Sequence, residues 1–97
     1  MSLSPIASPV FLKKKKKQFP DLQRALDDQV KMILENPLLG DPKKGALQGV
    51  RVLKFKYKKQ LFLLSYEPDF RKKVLSLYSF GSHEGFYKEL ERHIKSK

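Results

Sequence analysis

His83 and Tyr87 stand four residues apart in Gly81-Ser82-His83-Glu84-Gly85-Phe86-Tyr87, a segment that reads as the start of a helix, so both fall on one helical face. Imidazole exchanges a proton near neutral pH, and the first turn of a helix favours a bound phosphate. A tyrosine ring stacks on a base or offers its hydroxyl. A solvated first-turn histidine and a sheet-packed tyrosine would give the same spacing. Upstream, Lys54, Lys56 and Lys58 alternate with Leu53, Phe55 and Tyr57, which lines one face of a strand with ammonium groups. Such a row serves a nucleic-acid backbone, or guards an edge strand against sticking to other sheets. Arg51 and Arg71 are the arginines placed to clamp a phosphate with two hydrogen bonds, with a surface ion pair as the alternative, Arg71 with Asp69 for example.

Other chemistry is thin. The chain has no Cys, so it holds no disulfide framework, thiolate nucleophile or zinc finger. Ten residues separate His83 from His93, which is no recognised ligand spacing, and His93 near a helix C-terminus is explained by the helix dipole. Glycine-rich phosphate loops and nucleophile elbows are missing. We therefore expect no metal and no cofactor.

Charge points to the partner. Twenty-one Lys and Arg against 10 Asp and Glu leave a net charge of +11 in 97 residues. Between Asp41 and Glu67 no acidic residue occurs, while Lys43, Lys44, Arg51, Lys54, Lys56, Lys58 and Lys59 do. With Lys13 to Lys17 and Arg71, Lys72 and Lys73, this block makes a field that draws in polyanions or acidic protein segments. Solubility would need less charge, with the signs interspersed. An apolar content of 40% is too high for a disordered chain, and the length suits one small domain over residues 1–97. No apolar run is long enough to span a membrane, and no signal peptide is evident, so a cytoplasmic location is expected.

The elements that must carry these residues follow from local pattern. Residues 3–7 read as a short strand, confined to a sheet edge by Pro5. Ser8-Pro9 is a helix start, leading through Val10, Phe11 and Leu12 into the five lysines. After Phe19-Pro20, the spacing of Leu22, Ala25, Leu26, Val30, Ile33 and Leu34 predicts an amphipathic helix ending at Asn36-Pro37. Residues 38–49 read as an extended loop. Strands follow at 51–58, at 61–66 (a central strand covered on both faces) and at 74–80, with a tight turn at Lys58-Lys59-Gln60 and a break at Glu67-Pro68-Asp69. Gly81-Ser82 reads as a stop and an N-cap, and Phe86, Leu90 and Ile94 as the stripe of a closing helix. The expected fold is α+β in the order β-α-α-β-β-β-α, an antiparallel sheet with two N-terminal helices packed on it and a C-terminal helix.

That order, with Leu47-Gln48-Gly49, the alternating bases from Arg51 to Lys56, Leu64-Ser65-Tyr66 and the run from Phe80 to Tyr87, resembles the RelE/ParE superfamily of bacterial toxin–antitoxin toxins over nearly the whole chain. The resemblance implies a ribosome-dependent endoribonuclease that inhibits translation by cutting messenger RNA, with the RNA's 2′-hydroxyl as nucleophile. It assigns Lys54 and Lys56 to holding or deprotonating the RNA, His83 to protonating the leaving oxygen and Tyr87 to stacking on a base. Arg51, Lys58, Lys59, Arg71, Lys43 and Lys44 then become candidate RNA and phosphate contacts. It also implies an acidic antitoxin, with operator DNA bound only jointly with it, and no membrane partner. One position departs from the pattern. Active members carry an arginine two or three residues before the Tyr66 position, where this chain reads Leu61-Phe62-Leu63-Leu64. The alternatives that follow are a substitute clamp from Arg51 or Arg71, weak activity, or membership of the branch that inhibits DNA gyrase. A general basic nucleic-acid-binding domain is the remaining reading.

Overall fold

The computed structural model describes residues 3–83. The closing helix expected from Phe86, Leu90 and Ile94, and with it Tyr87, lies outside the described residues. The elements are β1 (Ser4–Ala7), α1 (Pro9–Lys16), α2 (Pro20–Glu35), β2 (Asp41–Pro42), a 3-10 turn (Gly45–Leu47), β3 (Arg51–Tyr57), β4 (Gln60–Asp69) and β5 (Val74–Ser82). The chain begins its first helix where the sequence places it: Ser8 caps α1 by accepting from the Phe11 N–H at 3.1 Å, and Pro9 occupies the first turn. Helix α2 has no side-chain cap, so Pro20 in its first turn and its apolar stripe carry it. Leu22, Leu26 and Ile33 of that stripe are buried, each contributing about 1.5–3 kcal/mol of burial.

The sheet order is β1-β5-β4-β3-β2. Strands β2 to β5 pair antiparallel, whereas β1 pairs parallel to β5, from Ser4 opposite Val74 to Ala7 opposite Leu77. The sheet is thus mixed rather than antiparallel throughout. Local pattern could not reveal this, because β1 meets β5 only after the rest of the chain has returned beside it. Pro5 does sit on an edge strand, as expected.

Three further boundaries differ from expectation. The 38–49 loop carries the short strand β2, with Asp41 opposite Val52. Pro68 does not break its strand: β4 runs to Asp69, and past Tyr66 it pairs, among the described residues, with β5 alone, so the missing N–H of Pro68 faces a side with no described ladder to lose. Gly81 and Ser82 lie inside β5, opposite Leu63 and Phe62, rather than forming a stop and a cap.

Both helices bury their apolar residues on one face of the sheet, where Phe11, Leu22, Leu26 and Ile33 meet Phe55, Leu64, Tyr66, Leu75, Leu77 and Phe80. The other face holds a smaller cluster of Leu47, Val50, Val52 and Leu63, with Tyr78 packed against it. Strand β4 therefore has buried residues on both faces, as its unbroken apolar run predicts.

The loop between α2 and β3 is pinned from beneath. The Tyr66 hydroxyl, fully buried, accepts from the Gly40 N–H at 2.8 Å and donates to the Pro37 carbonyl at 2.9 Å. A Cβ on Gly40 would stand 2.9 Å from the Tyr66 ring and hydroxyl and 3.0 Å from the Val52 backbone, closer than side chains tolerate. Burial raises the pKa of Tyr66 above the ordinary tyrosine value, outweighing the Gly40 hydrogen bond and the Arg51 charge that lower it. Burial and the neighbouring Glu67 carboxylate, which accepts from the Tyr78 hydroxyl at 2.6 Å, raise Tyr78 as well. In both cases the folded chain holds the proton more tightly than the unfolded chain. Stability from these groups is full below pH 10 and is lost as pH rises beyond it. In an alkaline titration followed by tyrosinate absorbance, Tyr66 and Tyr78 are expected to ionise together with unfolding.

Candidate functional site

A bulge decides where His83 points. In β5, Leu75 and Leu77 face the helices, and simple alternation would send residues 79, 81 and 83 to the same side. The register instead shifts beside Ser65 and Tyr66: Ser65 lies opposite Ser79 and Tyr66 opposite Leu77, leaving Tyr78 as the extra residue. Past it, Phe80 faces the helices, and Ser79, Gly81 and His83 turn to the other side. The buried Ser65 hydroxyl repairs the interruption, donating to the Ser79 carbonyl at 3.1 Å and accepting from its N–H at 3.0 Å. Sequence reasoning missed the bulge, although the apolar spacing 75, 77, 80 is its trace.

The face His83 joins is the one that presents Lys54 and Lys56. Phe55 packs against the helices, so the residues alternating with it, both exposed, project the opposite way. Register completes the map. Lys54 is opposite Leu63, itself opposite Gly81, and Lys56 is opposite Leu61, whose carbonyl accepts the His83 N–H at 3.2 Å. Lys56, Leu61 and His83 therefore form one row across three strands, spanning roughly 10 Å between the outer backbones. Gln60, Leu61, Ser82 and His83 line an open depression of about 290 Å³ at the end of this row. Gln60 and Ser82 were not singled out from sequence.

Lys58 and Lys59 form the two-residue turn that joins β3 to β4, with φ of +50° and +65°. Positive φ at both positions is the signature of a type I′ turn, which ordinarily takes Asn-Gly, so two lysines here carry backbone strain. The Lys58 ammonium sits 5.5 Å from the Tyr57 ring centroid. Replacing the pair by Asn-Gly is expected to raise stability by about 0.5–1 kcal/mol, measured by thermal unfolding.

The remaining candidates lie elsewhere. Arg51 begins β3, roughly 16 Å along the strand from Lys56, and its Nη1 donates to the carbonyls of Leu38 at 3.1 Å and Gly40 at 2.7 Å. Arg71 is exposed in the turn between β4 and β5, at the end of the sheet opposite His83 and roughly 30 Å from it. The Asp69 carboxylate there accepts from the Lys72 N–H. Lys43 is half-buried beside β2 and Lys44 exposed before the 3-10 turn. The described structure thus brings Lys54, Lys56 and His83 to one face; Lys58, expected in the same row, instead lies in the turn with Lys59, its ammonium against the Tyr57 ring on the helix side, and Arg51, Arg71, Lys43 and Lys44 lie away from the face. At the departing position, Leu63 lies between Lys54 and Gly81 with no exposure, so β4 presents no cation to this face there.

Residues 6–91 match the family described as the ParE-like toxin of type II bacterial toxin–antitoxin systems. The chain belongs to that family. Among solved structures, a free-state mutant of the Escherichia coli toxin RelE superposes with a TM-score of 0.78 at 19% identity, covering 99% of this chain and 97% of that one. The RelBE2 toxin–antitoxin complex of Mycobacterium tuberculosis matches with a TM-score of 0.74 at 14% identity, covering 86% of this chain and 100% of that one. An E. coli RelE mutant bound to a peptide of the antitoxin RelB gives 0.71 at 21% identity, covering 92% and 94%. No curated protein matches the chain. This ParE-like toxin therefore has the RelE fold. No helix among its described residues is long and apolar enough to cross a membrane.

Proposed function

We propose that this ParE-like toxin is a ribosome-dependent endoribonuclease that cuts messenger RNA and so inhibits translation. The observation that carries the reading is the bulge-directed placement of His83 on the open face beside Lys54 and Lys56. In the reaction, the RNA's 2′-oxygen attacks the adjacent phosphorus and the bond to the 5′-oxygen breaks. Lys56, as an ammonium, holds the phosphate, Lys54, as a neutral amine, receives the 2′-proton, and His83 gives a proton to the departing 5′-oxygen. No protein nucleophile, metal or cofactor enters. Lys58 and Lys59 extend the positive surface along the RNA backbone, and Tyr87 supplies a ring for base stacking. The whole chain acts as one toxin domain in the cytoplasm.

The net charge of +11 and the likeness to RelE bound by a RelB peptide support an acidic cognate antitoxin, with operator DNA bound only by the pair. A second reading, inhibition of DNA gyrase without RNA cleavage, is favoured by the family's ParE-like description and by Leu63 at the departing position. Paired assays separate them. The nuclease reading expects cell-free translation to stop on adding the toxin while gyrase supercoiling continues; supercoiling lost with translation intact would reverse the assignment.

A further inference from the structure

The pairing of β1 with β5 ends at Ala7 opposite Leu77, yet β5 continues to Ser82. Beyond Leu77 no strand among the described residues lies on the β1 side of β5, and α1 stands in for one. The Leu77 carbonyl accepts from the Ser8 N–H at 2.9 Å, the Tyr78 carbonyl from the Ser8 hydroxyl at 2.7 Å, and the Phe80 carbonyl from the Lys14 ammonium at 2.7 Å. The last of these is charge-assisted and so stronger than a neutral hydrogen bond. The same ammonium lies 5.3 Å from the Phe80 ring centroid, and the Phe11 ring meets that ring edge-on at 5.3 Å.

Lys14 is thus set apart from its neighbours in the lysine run. Lys15 pairs with Asp27, and Lys13, Lys16 and Lys17 are exposed. From the β4 side, the described bond that holds His83 is its own N–H to Leu61, at 3.2 Å. From the β1 side, among the described residues, the grip nearest to His83 is Lys14 on Phe80, three residues earlier.

We propose that Lys14 is a positioning residue, fixing the outgoing end of β5 so that His83 keeps its register in the row with Leu61 and Lys56. The proposal rests on the nuclease reading for its activity readout and on the geometry of β5 alone for its structural readout. Displacing a reacting group by about 1 Å costs on the order of 10²-fold in rate, whereas removing one distant surface charge weakens RNA capture without altering the chemical step.

The experiment compares the full-length wild type with Lys14→Met, Lys14→Arg and Lys13→Met in two measurements: single-turnover cleavage on programmed ribosomes, and hydrogen exchange of the His83 amide with the Leu26 amide as the core reference. Lys14→Met is expected to lose about 10- to 100-fold in turnover with KM within about twofold, and to exchange the His83 amide faster with Leu26 unchanged. Lys14→Arg, which keeps a charged donor, retains both properties. Lys13→Met moves KM alone. Unchanged His83 exchange in Lys14→Met, or an equal turnover loss in Lys13→Met, would overturn the proposal. If the wild type cuts nothing on ribosomes, the nuclease reading fails, and the exchange comparison by itself decides whether Lys14 holds His83.

Discussion

Alanine at His83 is expected to lower ribosome-dependent RNA cleavage by about 10²- to 10⁴-fold, the range a positioned general acid supplies. Alanine at Lys56, in the same row, is expected to cost about 10²- to 10³-fold by removing a cation aimed at the developing phosphate charge. Both side chains are exposed and neither belongs to an apolar cluster, so stability should stay within about 0.5 kcal/mol of wild type. That separation gives the prediction its force: loss of rate at an unchanged thermal midpoint assigns chemistry, whereas loss of both would mean that the row supports the fold. Arg71→Ala is the contrasting substitution. It removes a full positive charge from the far end of the sheet, and is expected to change the salt dependence of RNA binding more than the rate of cleavage.

The largest effect on stability is expected at Phe80. Its side chain is 1% exposed, lies opposite Leu64 in the ladder, meets Phe11 edge-on and underlies the Lys14 ammonium, so it joins α1 to the sheet. Phe80→Ala removes all of these apolar contacts and leaves a cavity, at a cost of about 3–5 kcal/mol. Against the 5–15 kcal/mol typical of natural proteins, this takes a large share of the total. For a chain of 97 residues the thermal midpoint should fall by at least about 12 °C, read by calorimetry or circular dichroism. Phe80→Leu, which keeps most of the volume, should lose much less. A midpoint unchanged by Phe80→Ala would mean that the contact between α1 and β5 is not integral to the folded state.

What could be read from sequence was local. The Ser8-Pro9 helix start, the stripe of α2 and the alternation of β3 each depend on residues within a few positions of one another, and each is found where expected. The position of the turn at Lys58-Lys59 was legible, but its type was not, because lysine is a poor occupant of positive φ. Pro68 inside β4 misled because a proline is tolerated wherever its N–H side has no neighbouring strand, and that depends on where β3 ends.

The site was legible as a set of residue types and illegible as an arrangement. Lys54 and Lys56 announce a basic strand face, yet nothing local says that His83 shares it. That depends on one extra residue in β5, accommodated by the Ser65 hydroxyl from the neighbouring strand. Lys14 was hidden among five lysines of equal appearance, and only the path of α1 along the edge of β5 distinguishes it. Conversely, Arg51 looked like a phosphate clamp, and its Nη1 is engaged with the loop carbonyls of Leu38 and Gly40.

The central claim is that Lys54, Lys56 and His83 form an RNA-cleaving face. Its most direct test is primer extension on a defined messenger RNA incubated with the toxin, with and without bacterial ribosomes, for wild type and His83→Ala. New 3′ ends are expected only when ribosomes are present, strongly reduced in His83→Ala. Equal cleavage by wild type and variant would remove His83 from the chemistry, and no cleavage by wild type would contradict the nuclease assignment itself.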